Sequence, residues 1–334
     1  MFRVPGSGVK VDMKKSLFCI LSIVCAATVF AAPARKSARK AAPRPAAAPA
    51  SGLPETAFRR TPYVGAIAVD AQTGKVLFER NADTVARPAS VTKLMTMLLC
   101  LEDMHAMKYD PTTVVTASVR CSQEKPSCVG LKPGQKMTVD DLLMSIMVKS
   151  ANDAAVLLAE NSTAKRAGRE IEPGDLQAFV VRMNKKAAEL GMANTHYETP
   201  NGYPPKPGSK RPFDTSTCRD LVKLAQAILR YPEVFRFTKT KLCTVTDGAG
   251  KPLKMVNHNN ILVKDKQKIL NENGESEVDG LKTGYIDAGG SSIILTGKRN
   301  GKRAIVVVVG SQTSKLRDQH ARQLMVDALD KISQ

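Results

Sequence analysis

Two stretches patterned for antiparallel strands stand far apart in this chain, and the residues between them are patterned for helices. Residues 65–81 (GAIAVDAQTGKVLFERN) hold two apolar runs on either side of Ala71-Gln72-Thr73-Gly74, a turn sequence, and read as a hairpin. Residues 291–296 and 304–309 flank Lys298-Arg299-Asn300-Gly301 in the same way. Between the two, residues 90–104 form a Leu- and Met-rich helix that starts just after Pro88. Thr138-Val139-Asp140-Asp141 resembles a capping box, with Asp in place of Glu, and opens an amphipathic helix to Val148. A further helix follows Asn152, residues 176–190 are helical with Gly191 as a C-cap, and residues 315–332 form a last amphipathic helix. Strands at both ends around a helical block give an α+β architecture: an antiparallel sheet built from both ends, with an inserted helical lobe. A site is expected in the cleft between sheet and lobe.

The first residues carry an export signal. Arg3, Lys10, Lys14 and Lys15 precede an apolar run over residues 16–32 that is short for a membrane span, and Val29-Phe30-Ala31 suits cleavage near Ala31. Residues 1–31 are read as a signal peptide, an uncleaved anchor helix being the other option. Residues 32–60, rich in Ala, Pro and basic side chains without apolar periodicity, are a solvated linker, and residues 61–334 are the folded domain. The formal net charge is +19. On an exported chain that charge points to an anionic envelope polymer, met through the basic linker, rather than to nucleic acid. Aromatic residues make up only 4% of the chain, which leaves base stacking without support.

Beyond the leader, Cys100, Cys121, Cys128, Cys218 and Cys243 show no CxxC pair and no Cys/His spacing suited to zinc, so neither a metal nor a cofactor is expected. Cys121 and Cys128 flank a short polar segment and could bridge in an oxidising compartment, Cys218 with Cys243 is a second option, and Cys100 reads as a helix core residue. His105, His196, His258 and His320 are scattered and are read as packed or surface residues. There is no Gly-x-Ser-x-Gly elbow, phosphate-binding Gly-rich loop or His-Glu-x-x-His segment.

The chemistry lies in three short segments. Ser90-Val91-Thr92-Lys93 puts a hydroxyl and an amine at i and i+3, one face of a helix, next to helix N-terminal N–H groups that suit an oxyanion. Ser-x-x-Lys also occurs at Ser7/Lys10, Ser37/Lys40, Ser122/Lys125 and Ser162/Lys165, so the spacing alone proves nothing. Ser90 differs in beginning an apolar helix and in its companions. Ser150-Ala151-Asn152 lies between two helices and can either cap the second or project both side chains from a turn. Lys282-Thr283-Gly284 offers a cation, a hydroxyl and an unblocked backbone on an extended edge strand.

Together, in this order, the three segments resemble the penicillin-recognising serine enzymes. Arg87-Pro88-Ala89, Leu190-Gly191-Met192 with Asn194-Thr195, Pro200-Asn201-Gly202, residues 257–262 (NHNNIL) and residues 278–284 look like the D-alanyl-D-alanine carboxypeptidases and endopeptidases, the low-molecular-mass penicillin-binding proteins. The likeness runs from about Tyr63 to Ile332. It implies a penicillin-binding protein/β-lactamase-like fold, peptidoglycan stem peptides as substrates and β-lactam antibiotics as covalent inhibitors.

It further implies that Ser90 is the nucleophile, Lys93 its base and Ser150 a proton relay. Asn152 would meet the substrate amide, and Lys282 and Thr283 the terminal carboxylate beside Gly284. The N–H groups of Ser90 and Tyr285 would form the oxyanion hole, and Arg317 stands where such enzymes carry a carboxylate-binding arginine. Tyr285 departs from the His or small polar residue of many relatives, and the close of the sequence soon after its last helix tilts the expectation slightly toward the shorter endopeptidases, since many carboxypeptidases continue into a β-rich domain. A β-lactamase would share the three segments, but no Glu-x-x-Leu-Asn loop lies between Asn152 and Lys282. A catalytically silent wall-binding or β-lactam-sensing module would not need the Ser90/Lys93/Ser150/Asn152/Lys282 set intact.

Overall fold

The alternating strands at the two ends of the folded region pair with one another. In this computed structural model, which describes residues 62–246, 249–264, 269–270 and 273–334, the expected leader and linker (1–60) lie outside the described residues. Strands β1 (Gly65–Asp70) and β2 (Val76–Arg80) form the first hairpin. Two small ribbons follow, β3 (Val114–Thr116) with β4 (Lys136–Thr138) and β5 (Leu242–Thr246) with β6 (Pro252–Val256). The last strands are β7 (Val278–Ile286), β8 (Gly290–Arg299) and β9 (Lys302–Ser311). The main sheet has the antiparallel order β2-β1-β9-β8-β7, so β1 lies against β9, with Ile67 opposite Val307.

Period-two alternation divides this sheet between two cores. Ile67, Val69, Ile294, Ile305, Val307 and Val309 face the helical lobe. Ala66, Ala68, Ile293, Leu295, Val306 and Val308 face the last helix, α9 (Ser314–Ser333), through Ala321, Met325, Ala328 and Leu329. Both faces are covered, which is why β9 reads as a near-continuous apolar run. Each fully buried aliphatic side chain here contributes roughly 1.5–3 kcal/mol relative to exposure.

The lobe contains α1 (Lys93–His105), α2 (Val119–Ser122), α3 (Val139–Met144), α4 (Asn152–Arg166), α5 (Asp175–Glu189), α6 (Cys218–Ile228), α7 (Val234–Thr238) and α8 (Asn260–Val263). Every residue of α1 from Lys93 to Leu101 is buried, and α4 is buried nearly all round, so both are central helices rather than surface ones. At the far end of the lobe, Asp103 is buried and satisfied by Arg166, Arg182 and the Ser162 hydroxyl. The Thr138 cap forms as expected, its hydroxyl accepting from Asp141 N at 3.1 Å.

Several details depart from the sequence reading. The turn carrying Ser90 is a 3₁₀ turn, Ala89–Thr92, and the α-helix begins at Lys93. The helix expected to reach Val148 is α-helical only to Met144 and then widens into a π-helical turn, Ser145–Lys149. The two ribbons, and helix α6 despite its strongly amphipathic pattern, were not anticipated. Among the described residues all five cysteines are free thiols, so the Cys121–Cys128 and Cys218–Cys243 bridges are absent. Cys121 instead packs in the lobe core, its thiol on the Ser118 carbonyl at 3.2 Å.

Candidate active site

The 3₁₀ turn is what aims Ser90 and Lys93 at each other. Ala89 has φ +52, which folds the chain sharply between Pro88 and Ser90. Lys93 then starts α1 fully buried, with its amine 3.0 Å from Ser90 Oγ. Two carbonyl oxygens complete the surroundings of that amine: Asn152 Oδ1 and the backbone oxygen of Asn201, both at 2.7 Å. Neither can donate a hydrogen bond. A neutral amine has two N–H groups and one lone pair, so both protons go to the carbonyls and the lone pair is left for the Ser90 hydroxyl.

The π-helical turn after α3 ends in Ser150, which adopts a left-handed conformation at φ 58, ψ 33. For a residue with a Cβ this costs on the order of 1–3 kcal/mol and persists only where the surroundings hold it. The N-cap of α4 is Ala151 and has no side-chain cap bond, so neither Ser150 nor Asn152 serves as the cap that the sequence left open. Ser150 is buried and its Oγ accepts from Lys282 Nζ at 2.9 Å. Asn152 faces Lys93, and its Nδ2 donates to Pro126 O at 2.7 Å, which fixes the amide orientation. A substrate amide would therefore have to use the second N–H of Nδ2.

Strand β7 is the free edge of the main sheet and runs beside the Ser90 turn. Lys282 is buried on it and also donates to Thr283 O at 2.9 Å. A Cβ on Gly284 would lie 2.5 Å from Pro88 O and 3.1 Å from Ser90 N. Gly284 thus admits the nucleophile's own backbone against the strand, rather than leaving an empty lane for a ligand. Gly284→Ala is expected to push β7 off the turn and slow acylation of Ser90 by on the order of 10- to 100-fold. Stopped-flow reaction with a fluorescent penicillin reads this, and a wild-type rate would refute the contact's importance. Thr283 is buried, whereas Tyr285 is 59% exposed at the rim and donates to Asp287 at 2.6 Å. Arg317, at the start of α9, is buried with Nε and one terminal nitrogen on Asp318 Oδ1 at 2.8 and 2.7 Å.

Ser90, Lys93, Ser150, Asn152 and Lys282 thus form two hydrogen-bonded clusters, and the Lys282 charge acts on Lys93 across the gap between them. Lys93 links Ser90 to Asn152, and Lys282 links Ser150 to β7. The other Ser-x-x-Lys serines of the lobe are bound elsewhere, Ser122 to Val119 O and Ser162 to Asp103. His105 and His196 contact Glu233 and Glu198, and His320 packs edge-on against Tyr63. Among the described residues no group of His, Cys, Asp and Glu is arranged to hold a metal ion. Sequence reasoning quoted Asn201 only as part of a segment and gave it no role, because a backbone carbonyl leaves no side-chain signature. It missed Glu124 and Asp214, which brace that carbonyl's loop as isolated acids in polar stretches.

Electrostatics suit proton transfer. Burial, and then the Lys282 charge, hold the Lys93 amine well below the usual lysine range, against the opposing pull of Asp214, Glu124 and Asp153. Lys282 itself is pushed down to about 7 by burial, with Arg317 adding to the effect. A hydroxyl beside a buried free amine is an activated nucleophile, and a second hydroxyl–ammonium pair next to it can carry a proton to a departing amine. The arrangement suits acyl transfer.

Comparisons with known proteins converge. A family model described as D-alanyl-D-alanine carboxypeptidase matches residues 63–313. The D-alanyl-D-alanine carboxypeptidase DacF of Bacillus subtilis is 32% identical over 260 residues, 78% of this chain and 60% of that protein. DacA of Escherichia coli is 31% identical over 266 residues, 78% and 59% of the two chains. This chain therefore spans about three fifths of the length of those relatives. A D-alanyl-D-alanine endopeptidase of Pseudomonas aeruginosa is 34% identical over 180 residues, 54% of this chain and 52% of its own. Among solved structures, penicillin-binding protein D2 of Listeria monocytogenes with cefotaxime bound superposes with a TM-score of 0.64 at 28% identity, covering 80% of this chain and 96% of that one. Penicillin-binding protein 6B of Escherichia coli gives 0.65 at 30%, covering 79% and 76%. The α+β fold read from the strand and helix patterns is the fold of these proteins.

Proposed function

Because this chain belongs to the D-alanyl-D-alanine carboxypeptidase family, we propose that it is an exported serine DD-peptidase that cleaves the bond between two D-alanines in peptidoglycan stem peptides through a Ser90 acyl-enzyme. The observation that carries the reading is the buried Lys93 amine 3.0 Å from Ser90 Oγ, whose two other partners are carbonyl acceptors, so that in its neutral form the lone pair is left for that hydroxyl.

The steps balance as follows. Ser90 Oγ attacks the carbonyl carbon and its proton passes to Lys93. The oxyanion is held by the N–H groups of Ser90 and Tyr285, where β7 runs against the nucleophile turn. The C–N bond breaks, and the departing amine takes a proton delivered by way of the Ser150 hydroxyl. Water then attacks the ester, giving its proton back through Lys93, and frees the acid and Ser90. Lys282, Thr283 and Arg317 hold the substrate's terminal carboxylate, and Asn152 holds Lys93 in register. A penicillin enters by the same attack, but its ring-opened amine stays attached and blocks water, so the ester persists. That persistence separates the peptidase reading from a β-lactamase.

The basic residues of 32–60 would hold the enzyme to an anionic envelope polymer, and residues 1–31 would direct export. Among the described residues no helix is long and apolar enough to cross a membrane.

The pH dependence follows from the two lysines. Acylation needs Lys93 neutral, so kcat/KM rises as pH climbs through its depressed pKa. Carboxylate capture needs Lys282 charged, so kcat/KM for acids falls as pH passes about 7. The expected profile for benzylpenicillin acylation is a bell, and a rate that climbs steadily to pH 10 would contradict it. Product analysis on defined muropeptides tests the substrate: loss of one D-alanine from a monomeric pentapeptide, or conversion of a crosslinked dimer to monomers, supports the reading. Untouched substrates with active wild-type acylation would reject it.

A further inference from the structure

Asp214 is a buried carboxylate on the segment that leads into α6, remote in sequence from every motif above. Its Oδ2 accepts from the hydroxyl of Thr92, the residue immediately before Lys93, at 2.9 Å. The same oxygen accepts from the Thr199 hydroxyl at 3.1 Å, while Oδ1 accepts from the N–H groups of Glu198 and Thr199 at 2.8 and 3.1 Å. Thr199 Oγ1 in turn accepts from Gly202 N at 2.9 Å and so closes the turn 199–202. One step further along α1, Thr96 donates to Pro200 O at 2.6 Å. The carbonyl presented by that turn is Asn201 O, one of the two acceptors that orient Lys93.

The fit leaves no slack. Gly202 has φ +75, and a Cβ there would stand 1.9 Å from Ala89 O, so the turn lies directly on the backbone that precedes Ser90. On its other side the Asn201 side chain donates to Glu124 at 2.9 Å.

We propose that Asp214 is a positioning residue of the acylation step: its carboxylate fastens the turn that presents the Asn201 carbonyl to the turn that carries Ser90 and Lys93. This rests on the DD-peptidase reading of the site and adds a residue to it. Asp214 makes no contact with Ser90 or with the Lys93 amine. It acts through Thr92 on one side and Thr199 on the other. A carboxylate suits the place because all four groups bonded to it are donors, and it alone among side chains of this size accepts four without donating. Asparagine would turn an N–H₂ toward two of them.

The charged and titratable groups around Asp214 are Lys93, Arg211 and the buried Tyr197 phenol. Burial raises the Asp214 pKa to about 6, against its hydrogen bonds and Arg211. The negative charge favours protonated Lys93, so removing it lowers the Lys93 pKa and moves the acid limb of acylation to lower pH. That shift reads the charge of Asp214 beside Lys93, while the hydroxyl-retaining and hydroxyl-lacking variants of Thr92 read the positioning.

The test measures the second-order acylation rate by fluorescent penicillin, from pH 5 to 10, for wild type, Asp214→Asn, Thr92→Val and Thr92→Ser. Asp214→Asn and Thr92→Val are expected to fall by on the order of 10- to 100-fold, as displaced catalytic groups do. Asp214→Asn also shifts its acid limb downward, and Thr92→Ser, which keeps the hydroxyl, recovers most of the wild-type rate. A folded Asp214→Asn with the wild-type rate and acid limb overturns the proposal. If Asp214→Asn does not fold, the threonine pair decides: Thr92→Ser as slow as Thr92→Val overturns it, and rescue supports it. A wild-type protein that never acylates would instead reject the DD-peptidase reading beneath it.

Discussion

Lys93→Met should leave a folded protein whose Ser90 reacts with penicillin about 10²- to 10⁴-fold more slowly, the contribution of a positioned general base. Methionine matches the length of the lysine stem and keeps the buried space filled. What it removes is the amine 3.0 Å from Ser90 Oγ. It also leaves Asn152 Oδ1 and Asn201 O without their donor. The loss should appear in the acylation step at every pH, with the acid limb gone, because the group that titrates is gone. A cooperative melt together with acylation within tenfold of wild type would show that something other than Lys93 takes the proton.

Lys282→Ala should weaken reaction with carboxylate-bearing substrates by about 10- to 150-fold, the equivalent of a lost charge-assisted hydrogen bond of roughly 1.5–3 kcal/mol. Two further signatures separate this from general damage. Lys282 is a like charge that helps to depress Lys93, so its removal raises the Lys93 pKa and moves the acid limb to higher pH. The alkaline limb, set by Lys282 itself, disappears. A substrate whose terminal carboxylate is masked as an ester should lose much less than the free acid. Equal losses for both, with an unshifted acid limb, would place the role of Lys282 in holding Ser150 alone.

What the sequence allowed one to read, and what it did not, has a physical logic. The sheet was legible because its strands alternate or run apolar and are separated by Gly- and Asn-containing turns. Its assembly from both ends followed from the helical block between. Helices α1, α4 and α5 were legible as long apolar or amphipathic runs. The 3₁₀ turn at Ser90 and the π-helical turn before Ser150 were not, because each is a tertiary distortion of a segment that reads locally as α-helix. Those distortions are what point Ser90 at Lys93 and Ser150 at Lys282. The side chains that touch in the site were named by motif, since each contributes a functional group. Asn201 contributes only a backbone oxygen, and Asp214 and Glu124 act through other residues, so no pattern of residue types marks them. Gly284 was noticed but misread: the space it opens is filled by the Ser90 turn rather than left for substrate.

The acyl-enzyme itself can be weighed. Intact mass spectrometry after brief incubation with benzylpenicillin, followed by peptide mapping, should find one penicilloyl group per chain. It should sit on the peptide containing Ser90, decay slowly and be missing in Ser90→Ala. A protein that stays unmodified while folded, or one that carries the adduct on a different residue, would contradict nucleophilic attack by Ser90.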